Sequence, residues 1–284
     1  MKQRVFIAGC GFVGLATARL FHRGGWEVIG CTHSAESAAA LAGEPFRVVV
    51  CDISSRADVD RLTDFRGIDA VIHCASSGRG GADQYRTVYL EGAKNLAAAL
   101  NPRLLIFTSS TSVYAQTTGE WVTEESAAEP DRETGRILRE TEDFVLGMGG
   151  IAARLAGVYG PGRSVLLKKF LSGEAVVEGD GSRWINQIHR DDIASALLAL
   201  AKSGQTGVFN VSDDQPLAQV DLYEWLAECF QRPVPPFGPI DPNRKRGWTH
   251  KRVQNSKLRA LGWEPIYPSF FDAVEKDQGL IAGV

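Results

Sequence analysis

At 284 residues the chain is long enough for one large α/β domain or two domains of about 150 residues each. Its 44% hydrophobic and 23% charged residues exclude a disordered, collagen-like or coiled-coil chain. A balance of 31 basic against 34 acidic residues, net −3, supplies no broad field for nucleic acid or an anionic membrane.

Short β-rich runs alternate with amphipathic helical stretches. VFIAG leads into a helix over 13–23, WEVIGC into 35–42, FRVVVC into 56–65, AVIHCA into 83–100 and LLIFTSS into 132–148. Apolar strands of this continuous kind are buried on both faces of a parallel sheet, and right-handed crossovers between them build a doubly wound, Rossmann-like α/β layer. The first helix closes on Gly24 and Gly25, a pair suited to a left-handed stop, and Trp26 opens the second strand at once. Cys10, Cys31, Cys51 and Cys74 each fall at or just past a strand end and read as small buried filler. The five cysteines include no CxxC pair, no apolar run is long enough to span a bilayer, and the N-terminus enters RVFIAG almost directly. A cytoplasmic protein is therefore expected.

After a sixth strand, IAARLAG, the texture changes to shorter elements rich in turn residues. These are YGPGR, GEAVVEGDGSR, a helix near 191–202, GVFNV, a helix near 219–230, and a Pro-rich, partly basic stretch over 233–247 that reads as a mobile loop. Residues 1–158 are expected to form a dinucleotide-binding domain and 159–284 a smaller α+β substrate lobe over its ligand edge, with segments returning to the first domain.

Gly9, Gly11 and Gly14 follow a strand and open a helix, the context that a dinucleotide fingerprint needs. Gly9 permits the tight turn, Gly11 lets the backbone approach a pyrophosphate, and Gly14 lets helix and strand pack closely. The helix N-terminus, with Phe12 and Val13, turns free N–H groups and a positive dipole end toward the phosphates. At the end of the second strand an acidic side chain would bond the ribose 2′-OH of NAD and repel a 2′-phosphate. Thr32, His33 and Ser34 stand there, with no acid until Glu36, so NADP is expected ahead of NAD. Asp52, beside Ile53 after the third strand, could accept from the adenine amine, and Ala75 and Ser76 after the fourth complete the expected cofactor contacts.

GCGFVG, VIHCAS, FTSSTSVYA, GVYGPGR, WINQIHRDDIA, GVFNVSD and SKLRALGWEP occur in an order that resembles the extended short-chain dehydrogenase/reductases, the NAD(P)-dependent epimerases and dehydratases, over nearly the whole chain. The resemblance implies hydride transfer between a nicotinamide and a carbinol carbon. It also implies a Ser that bonds the reacting oxygen and a YxxxK pair, in which the ammonium lowers a phenol pKa of about 10. Ser110, four residues before Tyr114, matches the Ser. The pattern PxxxYGxSKxxxE lies over Pro130 to Glu142: Pro130, Gly135 and Glu142 match, but Thr134 stands for Tyr and Leu138 for Lys. A threonine hydroxyl is far too weak an acid for the phenol's task, and leucine can neither lower a pKa nor hold a ribose. Where the family has Asn three residues before Gly92, this chain has Tyr89. Such losses resemble the atypical subgroup.

Tyr89 is the candidate acid or base, with Tyr114 and Glu91 as alternatives; a phenol packed beside the cofactor is the plainer reading of each tyrosine. Tyr114, Arg163 and Asn186 are expected at the substrate. Lys168, Lys169 and Arg183 could meet a pyrophosphate, and Tyr159, Trp184 and Trp248 could frame a sugar or base. The basic run from Arg244 to Arg252 could close over a phosphate. His189 reads as architectural, with Asp191 or Asp192 capping the next helix, and no metal site is expected. The expected partner is a small molecule such as a nucleotide sugar, with no nucleic acid or membrane, and analogy with related folds gives a homodimer through the helices at 83–100 and 132–148. Two functional readings stand: an oxidoreductase of the nucleotide-sugar epimerase/dehydratase type, or a catalytically silent NADP-binding sensor or scaffold.

Overall fold

Successive side chains of β1 (Arg4–Ala8) go to opposite faces, Phe6 and Ala8 into one apolar core, Val5 and Ile7 into another. A strand without a polar face must be covered twice, and the computed structural model, which describes residues 2–78, 80–241 and 248–282, shows both layers. The further strands are β2 (Glu27–Thr32), β3 (Arg47–Val50), β4 (Ala70–His73), β5 (Leu104–Ser110), β6 (Ile151–Leu155) and β7 (Gly207–Val211). They join β1 in one sheet of order β7-β6-β5-β4-β1-β2-β3, every neighbouring pair parallel. The order reverses between β1 and β4, so the crevice beyond their carboxyl ends is the topological switch point at which doubly wound sheets take ligands.

Helix α1 (Phe12–Arg23) covers one face, and α2 (Gly92–Leu100) and α3 (Glu133–Gly147) cover the other. Helix α4 (Arg190–Ser203) packs beside α1, so residues 190–211 return to the sheet late in the chain. A third apolar cluster, with Tyr159, Leu167, Phe170, Val177 and Phe270, is closed by α5 (Gln219–Phe230) through Leu222 and Leu226.

Three helices depart from their sequence pattern. Ala35–Ala39 stops short of 42 because it buries no residue, and a helix without a packed face keeps little more than a turn. The stretch 56–65 is α-helical over Arg56–Val59 and 3₁₀ over Asp60–Phe65; its buried Val59, Leu62 and Phe65 recur every three residues, and three residues per turn puts them on one face. The stretch 83–100 is helical, but Arg86–Glu91 is wound as a π-helix between Ala82–Tyr85 and α2. There the fully buried His73 donates from Nε2 to Val88 O at 3.0 Å, taking a carbonyl of the widened turn.

The cap of α4 is His189, not Asp191 or Asp192: its Nδ1 accepts from Asp191 N at 3.1 Å. The helix begins one residue earlier than the pattern suggests, which shifts the capping position onto the histidine. Asp192 instead accepts from the N–H groups of Ile266 and Tyr267 and ties the C-terminal segment to the helix. Cys10, Cys31 and Cys51 are buried, Cys74 is half-buried and Cys229 exposed. Within the expected loop over 233–247, Phe237–Gly238 pairs in parallel with Val177–Glu178, while 242–247 lie outside the described residues. No helix among the described residues is long and apolar enough to cross a membrane.

Candidate active site

From Ala8 the chain turns through Gly9 at φ +92°, a left-handed conformation that favours glycine. A Cβ at Gly9 would stand 2.5 Å from Ala75 Cα, and one at Gly14 would stand 2.0 Å from Gly9 O; at Gly11 a Cβ would meet nothing within 4 Å. The loop is thus closed against protein at Gly9 and Gly14 and open at Gly11. No side chain caps α1 at Gly11, and its first turn carries no acidic residue, so its leading N–H groups face the crevice without a protein anion. Such a cradle fits a diphosphate. Arg163 and Arg190 both lie over the Phe12 ring, at 5.0 and 5.1 Å from its centre. Arg190 is also held by Asp191 at 2.9 Å, whereas Arg163 forms no ion pair among the described residues. Arg163, expected at the substrate, therefore stands beside the glycine loop.

Along the same edge, Thr32 Oγ1 donates to Ser34 O at 3.2 Å, and Ser34 Oγ accepts from Ser37 N. The exposed His33 ring approaches Asp52 Oδ2 at 3.5 Å. Burial pushes the Asp52 carboxyl up, but hydrogen bonds from Ser54 N and Oγ, helped by His33, hold it below the usual range. Ile53 is buried against Gly92, Asn95 Nδ2 holds its carbonyl at 3.1 Å, and Ser76 Oγ accepts from Gly78 N.

Beyond β5 lies a cavity of about 370 Å³, lined among others by Tyr85, Ser112, Thr134, Leu138, Trp248 and Thr249. Both departures from the YxxxK pair face it. The positions that match the pattern do structural work: a Cβ at Gly135 would stand 2.5 Å from Pro130 Cβ, and the fully buried Glu142 pairs with Arg154 at 2.7 Å. Pro130 and Gly135 line the same cavity as Thr134 and Leu138, while Glu142 lies behind it and fixes α3 on the sheet. Ser110 heads the turn that carries Ser112 and accepts from its N–H at 3.2 Å.

Other expected residues are placed elsewhere. Tyr89 does not line the cavity; its hydroxyl accepts from Ser77 N at 3.3 Å in the loop after β4. Tyr85, one turn earlier and edge-on to it at 5.0 Å, lines the cavity instead. Tyr114 is fully buried, its single O–H proton shared between Asn210 Oδ1 and Thr123 O at 2.8 and 2.9 Å while the oxygen accepts from Arg154 Nη1 at 2.8 Å. That leaves a substrate no position on the phenol. Asn186 spends both ends of its amide on backbone, donating to Lys251 O and accepting from Val253 N. Arg183 bonds Thr249 O, and Tyr159 packs against His189 and Phe270. Lys168 and Lys169 are exposed on the Val165–Leu171 helix. In the basic run, Arg244 to Arg246 lie outside the described residues, and the Arg252 guanidinium is sandwiched between Trp121 and Trp184. Sequence reasoning missed Tyr85, Ser112 and Thr249. Tyr85 lies one helical turn from Tyr89 and could have been found; Thr249 had no local signal.

Protein YeeZ of Escherichia coli K12 is 30% identical, over 94% of this chain and 97% of its own. A solved Methylobacillus flagellatus protein assigned to the NAD-dependent epimerase/dehydratases shares 26% identity with a TM-score of 0.79, covering 99% and 98% of the two chains. The UDP-glucose 4-epimerase of Thermotoga maritima, solved with UDP-glucose, has a TM-score of 0.83 over 99% of both chains, but at 19% identity it shows a common fold alone. The sequence profile of the NAD-dependent epimerase/dehydratase family matches residues 5–212, from β1 through β7, and the chain belongs to that family.

Proposed function

We propose that the protein binds a nicotinamide dinucleotide, NADP ahead of NAD, across the switch point, and converts a hydroxyl or carbonyl compound of the nucleotide-sugar class in the cavity beyond β5. The observation that carries this reading is the open cradle at Gly11 together with a cavity reached by the Ser110 turn. The nicotinamide supplies the donor or acceptor of hydride. Residues 9–14 would hold its diphosphate, with Arg163 adding charge. Thr32, His33 and Ser34 would meet a 2′-phosphate, and Asp52, ionised and fixed by Ser54, would accept from the adenine amine. Ala75 and Ser76 would line the cofactor edge, and Tyr89 would act there by holding the Ser77 loop in place. Ser110 would polarise the substrate oxygen, and the lobe built from residues after 158 would close the substrate side through Trp248 and Thr249. Pairing of two copies through the helical stretch 82–100 and α3 is part of the same proposal, read by sedimentation velocity.

The test is a turnover screen with NADPH or NADP and a panel of sugar nucleotides and carbonyl compounds. At least one is expected to react, with a loss of about 10²-fold in Ser110→Ala, the size of one lost oxyanion donor. No reaction in the whole panel would overturn the reading. Thr134 and Leu138 on the cavity wall support a second reading, a silent NADP sensor. It predicts stabilisation by NADP without turnover, and a protein partner whose affinity differs between NADP and NADPH.

A further inference from the structure

The cavity has lost the family's phenol and ammonium, yet one amine lies just behind its wall. Lys251 is 3% exposed, and its Nζ donates to Tyr114 O and to Thr249 Oγ1, both at 2.9 Å. Thr249 lines the cavity alongside Thr134 and Leu138. Lys251 is clamped from two sides. His250 N donates to Gln116 O at 3.0 Å and Arg252 N to Glu120 O at 2.8 Å, while Asn186 Nδ2 holds the Lys251 carbonyl at 2.9 Å.

The charges around it do not neutralise it. Arg183 approaches through its bond to Thr249 O, and Glu120 turns its carboxylate to Thr118 N. Of the chain neighbours, His250 Nδ1 accepts from Trp184 N, and Arg252 Nε donates to Gly119 O. No carboxylate of the described residues lies within ion-pair distance of Nζ. A buried cation without a counter-ion is costly, so the site favours the neutral amine. Burial, reinforced by Arg183 and only partly opposed by Glu120, pushes the amine down to about 7. A structural lysine would be expected to find a carboxylate; one kept neutral and bonded to a cavity-lining hydroxyl is suited to take up a proton.

We propose that Lys251, acting through Thr249, is the proton relay of this cavity, a positioning residue behind a hydroxyl that meets the substrate. The proposal rests on the functional reading above. In the oxidative direction the substrate hydroxyl gives its proton to Thr249 Oγ1 as the Thr249 proton passes to Nζ, leaving Lys251 an ammonium. A bound nicotinamide would supply the acceptor for the hydride and bonding pair of the carbinol carbon, which would become a carbonyl carbon. In the reductive direction the same protons return.

The test has two arms on the full chain. In the first, trace acetic anhydride labels the protein across a pH series, and mass spectrometry compares Lys251 with the exposed Lys168 and Lys169. Lys251 is expected to half-label near pH 7, below the ordinary lysine range. An ordinary lysine titration overturns the relay whether or not the enzyme turns over. The second arm is the pH profile of oxidative kcat for whichever panel compound reacts. Wild type is expected to show an acid limb near pH 7, lost with about a 10²-fold fall in kcat in both Thr249→Val and Lys251→Met and kept in Thr249→Ser. A limb that persists in Lys251→Met overturns the relay while the functional reading stands. Absence of turnover across the panel overturns the functional reading, and the relay with it.

Discussion

Asp213, at the end of β7, is 2% exposed, and neither of its carboxyl oxygens has a hydrogen-bond partner among the described residues. Burial, reinforced by Asp214, Asp192 and Asp272, pushes its carboxyl well above the usual range against the opposing influence of the Gln215 amide. In the folded protein it therefore holds a proton that the unfolded chain releases near pH 4. The stability that goes with this proton is present below the unfolded pKa and is lost as pH rises toward and through the raised folded pKa. Asp213→Asn keeps the shape and removes the titration. Its melting temperature is expected to gain on wild type as pH rises from about 5 to about 8, and a constant difference between the two proteins would contradict the assignment. Lys251 has the opposite sign: its contribution is complete above the ordinary lysine range and is lost as pH falls toward 7. The two groups can thus be separated by the direction of their pH dependence.

Helix α3 is anchored by charge as well as by apolar contact. Glu142, fully buried, accepts from Arg154 Nε and Nη2, from Arg139 and from Ser109 Oγ, while the Arg154 guanidinium also lies 4.8 Å above the Tyr114 ring. This network joins α3 to β5, β6 and, through Asn210, β7. Removing one partner leaves the other a buried, uncompensated charge. Glu142→Gln is accordingly expected to cost about 3–5 kcal/mol in urea unfolding. The double variant Glu142→Gln with Arg154→Met should recover part of that loss, and strictly additive costs would show that the pair is not coupled. The same helix explains how a sequence pattern can be half kept. Glu142 fixes α3 on the sheet through Arg154 and Ser109, and Gly135 lets the helix start close against Pro130, both of which the fold needs whatever the chemistry; Thr134 and Leu138 line the cavity, and Leu138 also packs in the apolar core.

For the molecule as a whole, coenzyme binding adds RT ln(1 + [L]/Kd) to stability, about 2.7 kcal/mol at a hundredfold excess over Kd. A thermal scan is expected to show a rise of several degrees with NADP and a smaller one with NAD at the same concentration. Gly14→Ala, whose Cβ would collide with Gly9 O, is expected to abolish both rises; a larger rise with NAD would reverse the order of coenzymes.

By itself the sequence determined six strands of the parallel layer, the glycine turn and the departures of Thr134 and Leu138 from the YxxxK pattern; the seventh strand, Gly207–Val211, falls in the stretch expected to form the smaller lobe. Strand burial, helix period and loop conformation are written in neighbouring residues, and the spacing of Gly9, Gly11 and Gly14 states its own geometry. Only the tertiary structure decided what surrounds the cavity. Tyr114 was legible as an aromatic after the Ser110 turn, but its burial depends on Arg154 and Asn210, 40 and 96 residues away. Lys251 was legible as one charge in a basic run, yet its burial follows from a strand at Arg252–Val253 pairing with Trp121–Val122, and its contact with Tyr114 O spans 137 residues. Local pattern encodes period and turn; which distant side chain closes a cavity is set by packing between segments whose partners no local signal names.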